Sequence, residues 1–259
     1  MPSASDLLGD RRRVLVTGGA GFIGGAVVRR LLRETTVTVF NLDKMGYASD
    51  LSSIEEVLSE LGEAEKDRHR LQQVDLTDAA AVEAAVREAD PDLVMHLAAE
   101  SHVDRSISGP GVFIESNVNG TYNLLHAVRS HYEGLSGERR DAFRMHHIST
   151  DEVFGSLGAE GRFSETTPYD PRSPYSASKA ASATASIIIN RSTGAASAKR
   201  GTTPRQQRQT TQKGPTKTIG PTEQSGETTH TTYFTFCTCA ADTFLTRCVR
   251  HWAVRSRAC

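Results

Sequence analysis

Thr150, Asp151 and Glu152 set a hydroxyl beside two carboxylates, directly after the run His147-Ile148-Ser149. Tyr175 and Lys179 place a phenol and an amine at i and i+4, one face of a helix. Together the five groups suit oxidation of an alcohol, removal of a proton next to the new carbonyl, and protonation of a departing hydroxyl. Few other chemistries need all five. The lysine ammonium is expected to favour the phenolate by opposite charge and bring the tyrosine toward a usable base. A lone Tyr-x-x-x-Lys is commonly a helix-surface pair, and its company here is what singles it out. Adjacent carboxylates with opposite jobs need environments that separate their pKa values, with Asp151 held as the acid.

Such groups need a frame. Short apolar runs alternate with amphipathic stretches and predict strands at 13–17, 37–42, 70–75, 93–98 and 143–150, with helices at 21–33, 79–89, 111–132 and 174–182. Repeated β-α-β units predict an α/β fold with a doubly wound parallel sheet, whose ligand crevice lies beyond the carboxyl ends of the strands. At that crevice stands Val14-Leu15-Val16-Thr17-Gly18-Gly19-Ala20-Gly21-Phe22-Ile23-Gly24, a strand running through a glycine turn into a helix. The glycines read as Gly19-x-Gly21-x-x-Gly24 or Gly18-x-x-Gly21-x-x-Gly24, and either spacing lets the backbone approach a pyrophosphate at a helix N-terminus. Asp43 ends the second strand where a carboxylate accepts from ribose hydroxyls, which favours NAD; Lys44 beside it would tolerate a 2′-phosphate. Asp75 either reaches the adenine or, like Thr77, caps the following helix. His146 and His147 point to opposite faces of one strand, so at most one meets the crevice; neither is assigned a role.

The overall charge balance of −1 conceals two unlike parts. Up to Ser182 there are 19 basic and 28 acidic residues (19 − 28 = −9), and from Ala183 onward 11 and 3 (11 − 3 = +8). Cys237, Cys239, Cys248 and Cys259 all fall in the second part, in a spacing that matches no usual zinc pattern. That part is rich in Thr, Ser, Gln and Arg and poor in aliphatics through Thr232, a composition expected to be disordered. It reads as a shifted frame, a missed splice or a truncation. No signal-peptide pattern opens the chain and no apolar run spans a membrane, so a soluble, cytoplasmic protein is expected.

The run Leu97-Ala98-Ala99-Glu100-Ser101-His102-Val103-Asp104-Arg105-Ser106, taken with the glycine turn, Asp43-Lys44, 149–154 and 175–179, resembles the dTDP-glucose 4,6-dehydratases of the extended short-chain dehydrogenase family. The resemblance covers about residues 13–182, and the Thr-Asp-Glu triplet sets it apart from the sugar-nucleotide epimerases. It implies a Rossmann-like NAD-binding domain over 1–182, followed at 183–259 by a tail that leaves the substrate domain incomplete. It also implies a lyase reaction: dTDP-glucose to its 4-keto-6-deoxy product through transient reduction of NAD and loss of water. Tyr175 would take the C4 hydroxyl proton with Thr150 bonded to the same oxygen, Glu152 the C5 proton, and Asp151 would protonate the leaving C6 hydroxyl. Cofactor contacts are implied at Gly18, Gly21, Phe22, Ile23, Gly24, Asp43, Lys44, Asp75, Leu76, Ala98, Ala99, Ser116, Tyr175 and Lys179, and substrate contacts at Ser101 and Thr150. His102, Asp104 and Arg105 equally serve to hold their loop. No metal, nucleic acid or membrane partner is implied, and there is room for a homodimer of the family type. The competing readings are an NAD-binding module without turnover and a related nucleotide-sugar dehydratase or epimerase.

Overall fold

The computed structural model describes residues 4–157, 161–164 and 166–192. Five strands, β1 (Arg13–Thr17), β2 (Thr38–Asp43), β3 (His69–Gln73), β4 (Leu93–His96) and β5 (Arg144–His147), form one parallel sheet in the order β3-β2-β1-β4-β5. The chain winds outward from β1 to β3 and then crosses back to β4, so the reversal point lies between β1 and β4, where a crevice opens. The helices are α1 (Ala4–Leu8), α2 (Phe22–Glu34), α3 (Ser52–Glu60), α4 (Glu63–Lys66), α5 (Ala79–Ala89), α6 (Val103–Ser108), α7 (Pro110–Phe113), α8 (Gly120–Gly134), α9 (Gly137–Ala142) and α10 (Pro174–Ser192).

Alternation along the strands splits the core in two. Leu15, Phe40, Val94 and Met145 turn to α5 and α8, while Val14, Val16 and Val39 turn to α2 and α3. β1 and α5 stand where the apolar pattern puts them. The caps of α5 are supplied by Asp78, whose Oδ1 accepts from Ala81 N at 3.0 Å, and by Asp90 in the left-handed region; the N-cap is therefore neither Asp75 nor Thr77.

Three expectations are corrected. The helix expected at 111–132 is α7, a π-helical segment Ile114–Asn119, and then α8. β4 stops at His96 and β5 at His147, leaving 97–100 and 148–150 as crevice-lining loops. α10 runs on through Ser192, across the boundary drawn at 182. Its polar positions do not break it, because Ser182, Thr184 and Ser186 donate back to the carbonyls of Lys179, Ala180 and Ser182. Small side chains also let it lie close, with Ala183 and Ser186 fully buried. The disorder expected of the tail, and its four cysteines, fall outside the described residues.

Beneath the crevice sits a buried polar layer. His96 bonds Thr17 Oγ1 through Nδ1 (2.7 Å) and Thr121 Oγ1 through Nε2 (2.9 Å), and its ring lies 5.1 Å from that of His147. Thr17 Oγ1 also accepts from Ala98 N, so its own proton goes to His96 Nδ1 and the ring donates from Nε2. Burial, with Lys179 adding repulsion, pushes His96 down to about 3. Burial likewise pushes His146 down to about 4, and lowers His69 and His147.

These rings stay neutral in the fold but protonate in the unfolded chain, so the unfolded state binds more protons below the ordinary value of 6.5 and stability must fall as pH drops. Each ring contributes up to about 1.4 kcal/mol per pH unit in that window. The urea midpoint of the chain is expected to drop steeply between roughly pH 7 and pH 5, above the range where carboxylates titrate; equal midpoints would mean that the rings accept protons within the fold.

Candidate active site

The glycine turn joins β1 to α2 at the crevice. Gly18 adopts φ +71°, and a Cβ there would lie 2.7 Å from the Ala98 backbone. Gly21 N donates to Gly18 O at 3.1 Å, and a Cβ on Gly24 would overlap that same carbonyl. The Gly18-x-x-Gly21-x-x-Gly24 reading is thus the one built into the backbone. Gly21 caps α2 without a side-chain bond, leaving the first-turn N–H groups directed at the crevice, a ready anion cradle. Phe22 stands exposed at its mouth, while Ile23 packs into the core.

Asp43 is buried, and its carboxylate is largely engaged within the chain. Oδ2 accepts from Ala20 N (3.0 Å), and Oδ1 from Met45 N (2.9 Å) and Ser49 Oγ (2.8 Å). A carboxylate has about four acceptor positions, so one remains for a ligand. Lys44 pairs with Glu100 at 2.7 Å, and the Arg105 guanidinium lies 4.2 Å from the Tyr47 ring centre; both contacts run from the loop after β2 to the loop after β4, across the end of β1. Asp75 turns inward on its own loop, accepting from Thr77 N and Oγ1 (both 2.9 Å). The Leu76 side chain belongs to the core. Ala99 and Ser101 are exposed, and Ser116 is half-buried in the π-helical segment.

Catalytic candidates converge from two elements. The loop after β5 leads into a 3-10 turn, Asp151–Phe154, capped by Thr150, whose Oγ1 accepts from Glu152 N at 3.3 Å. Ser173 caps α10 by accepting from Ser176 N (3.0 Å), and Pro174, with no N–H to satisfy, starts the helix. Tyr175 follows, its ring edge-on to Phe113 at 6.4 Å. Thr150 hydrogen-bonds the tyrosine oxygen, and Glu152 and Asp151 both act on it electrostatically, so these four residues form one electrostatic unit.

Burial raises Glu152, and Asp151 raises it further. The carboxyl held up in this fold is therefore Glu152, where Asp151 was expected. A raised pKa suits a base that must take a weakly acidic C–H proton. Tyr175 is also raised, by burial first and then by Glu152 and Asp151, with only the Thr150 bond opposing. This corrects the expectation that Lys179 lowers it. The lysine is buried, pushed down to about 8, and gives its proton to Ile148 O at 2.8 Å, so its charge is committed to the chain entering the catalytic turn.

Asn117 was not singled out in the sequence. It is buried, and bonds Glu100 at both backbone groups, accepting from N (2.8 Å) and donating to O (2.9 Å); it also donates to Ser178 Oγ (2.9 Å). The one signal that could have found it is its place in Asn117-Val118-Asn119-Gly120, an amide just before a small residue in an otherwise regular helix pattern.

The profile of the GDP-mannose 4,6 dehydratase family matches residues 15–224. The chain belongs to that family. The match continues past Ser182, where the resemblance in sequence ends, into residues outside the described part. Among relatives, a dTDP-glucose 4,6-dehydratase of Neisseria meningitidis serogroup B is 53% identical over 172 residues, which is 66% of this chain and 47% of the relative. One from Escherichia coli strain K12 is 48% identical over 179 residues, 66% and 48% of the two chains. The chain therefore spans about half the length of the curated relatives it matches. A dTDP-glucose 4,6-dehydratase of Streptomyces venezuelae, solved with NAD bound, superposes with a TM-score of 0.60 at 39% identity, covering 70% of this chain and 52% of that one. A UDP-glucose 4-epimerase of Thermus thermophilus, also with NAD, gives 0.56 at 33%, covering 70% and 51%.

Neutralising Glu152 removes the larger of the two charges that hold Tyr175 protonated. Glu152→Gln is expected to move the tyrosine's titration to lower pH, read as phenolate absorbance after subtracting the Tyr175→Phe profile; an unchanged midpoint would mean the two groups do not sense each other.

Proposed function

We propose that this chain carries the redox and proton-transfer half of a nucleotide-sugar 4,6-dehydratase acting on dTDP-glucose. The observation that carries the reading is the convergence of Thr150, Asp151, Glu152 and Tyr175 in one electrostatic unit beside a glycine turn shaped for a dinucleotide. Where Gly18, Gly21 and Gly24 leave no room for a Cβ and α2 presents free amides, a diphosphate fits, with Asp43 retaining one acceptor position for a ribose hydroxyl. When bound, NAD supplies the hydride acceptor for C4 and gives the hydride back at C6.

The chain's own groups handle the protons. Tyr175 takes the C4 hydroxyl proton while Thr150 hydrogen-bonds the oxygen. The C4 ketone acidifies C5, and Glu152 removes that proton. Asp151 then protonates the C6 hydroxyl, which leaves as water. The choice of dTDP-glucose over the GDP-mannose of the family description rests on relatives about half identical to this chain. We place residues 1–182 as the catalytic half and 183–259 as a separate tail, in a cytoplasmic protein that pairs as a homodimer. Among the described residues, no helix is long and apolar enough to cross a membrane. The basic, aliphatic-poor sequence after Ser192 offers little from which to build a sugar-nucleotide pocket, so slow turnover is expected, with NAD binding retained.

Calorimetric titration is expected to show NAD binding ahead of NADP, because a 2′-phosphate would meet the Asp43 carboxylate; equal or tighter NADP binding would remove Asp43 from the ribose. Single-turnover mixing with dTDP-glucose tests the chemistry itself. Glu152→Gln should oxidise C4 and stop there, leaving reduced nicotinamide absorbance standing, while Tyr175→Phe should give none. Absorbance that fails to appear in Glu152→Gln but does appear in the unsubstituted chain would take Glu152 out of the later step.

A further inference from the structure

The segment from Gly155 to Ser173 leaves the carboxylates and returns at the helix that bears Tyr175. A loop of this kind, with few aliphatic residues, has little burial of its own to fix its course. Three rings do so instead. Phe154 lies 5.3 Å from Phe163, tilted by 35°, and 5.4 Å from Tyr169, edge-on at 64°. Tilted and edge-on pairs are the favourable geometries for aromatic side chains.

Backbone contacts continue the attachment. Asp170 N donates to Val153 O at 2.9 Å, and Gly155, at φ +88°, brings its Cα so near that a Cβ would stand 2.7 Å from Asp170 O. Asp170 Oδ2 accepts from Arg172 Nε at 3.0 Å. Arg172 N and Ser173 N then donate to Ser176 Oγ at 3.1 and 3.0 Å, inside the first turn of α10. An unbroken run of contacts thus joins the residue after Glu152 to the cap of the helix carrying Tyr175.

We propose that Phe154, Phe163 and Tyr169 form an aromatic latch that sets the carboxylate turn against Tyr175, which makes Phe163 and Tyr169 positioning residues for both proton transfers. The naming of those transfers rests on the dehydratase reading; the latch itself does not. Its rings and the Asp170 hook cover one side of the turn and hold Glu152 in the partly dehydrated place where Asp151 and Tyr175 face it. Opening the latch lets water reach Glu152 and lets the turn drift from Tyr175.

The full chain, labelled with carbon-13 at glutamate side-chain carboxyls, reads this directly. The Glu152 signal is the one lost in Glu152→Gln, and its midpoint is followed by NMR in Tyr169→Ala, Phe163→Ala and Tyr169→Phe. Both alanine variants should lower the Glu152 midpoint toward the ordinary glutamate value, by roughly half a unit. Tyr169→Phe keeps the ring and should keep the wild-type midpoint. The latch is refuted if both alanine variants titrate as the wild type does, or if Tyr169→Phe falls with them. Should an alanine variant fail to fold, Phe163→Leu and Tyr169→Leu, which keep apolar volume and lose the ring, decide by the same criterion. Failure to react with dTDP-glucose would count against the dehydratase reading and leave this titration standing; an unmoved titration would do the reverse.

Discussion

The Asn117 side chain uses both ends of its amide at once, answering the N–H and the carbonyl of Glu100 while also reaching Ser178. It can do so because the helix passes through a π-helical segment, whose extra residue per turn rotates Asn117 toward the crevice. Remove that amide and both Glu100 groups lose their partner in a largely buried place, at about 1–3 kcal/mol for each group left unsatisfied. The loop after β4 would then lose its fixed course. Glu100 anchors Lys44, so the loop after β2 depends on it too, and through Ser178 the same contact reaches the first turns of α10.

Above this clamp the site works by selective dehydration. Lys179 and the histidines of the buried layer are deeply placed, and the fold answers their polarity with Ile148 O, Thr17 and Thr121. Asp151 and Glu152 remain largely in water, so their coupling is a matter of neighbourhood more than of burial depth. Tyr175 sits between the two regimes. Its phenol touches the carboxylates through Thr150 while its ring packs on Phe113.

Much of the frame was legible because strand burial writes itself as short apolar runs: β1 and α5 end where the pattern ends, and the glycine turn needs a residue type as well as a spacing. What escaped did so for local reasons. A π-helical turn leaves nearly the same apolar periodicity as an α-helix, so 114–119 read as uninterrupted. α3 buries only Ile54 and Val57 and passed as loop. The direction of the Lys179 ammonium depends on where Ile148 O stands in space, which no spacing along the helix reveals; hence the mistaken sign for Tyr175. The hydroxyls of α10 looked like helix breakers because their carbonyl partners lie within the helix itself.

The close contacts at the glycines also divide this chain's mutations into two genetic kinds. At Gly18, Gly24 and Gly155 the space for a side chain is filled by main-chain atoms of Ala98, Gly18 and Asp170, and no substitution elsewhere removes a main-chain atom. Lesions there admit no simple second-site suppressor. Gly19 is different, since what blocks a Cβ is the side-chain oxygen of Asn41. A shorter residue at 41 vacates that space, so a defect at 19 is open to reversion from the neighbouring strand, and the two positions are free to change together where the other glycines must stay as they are.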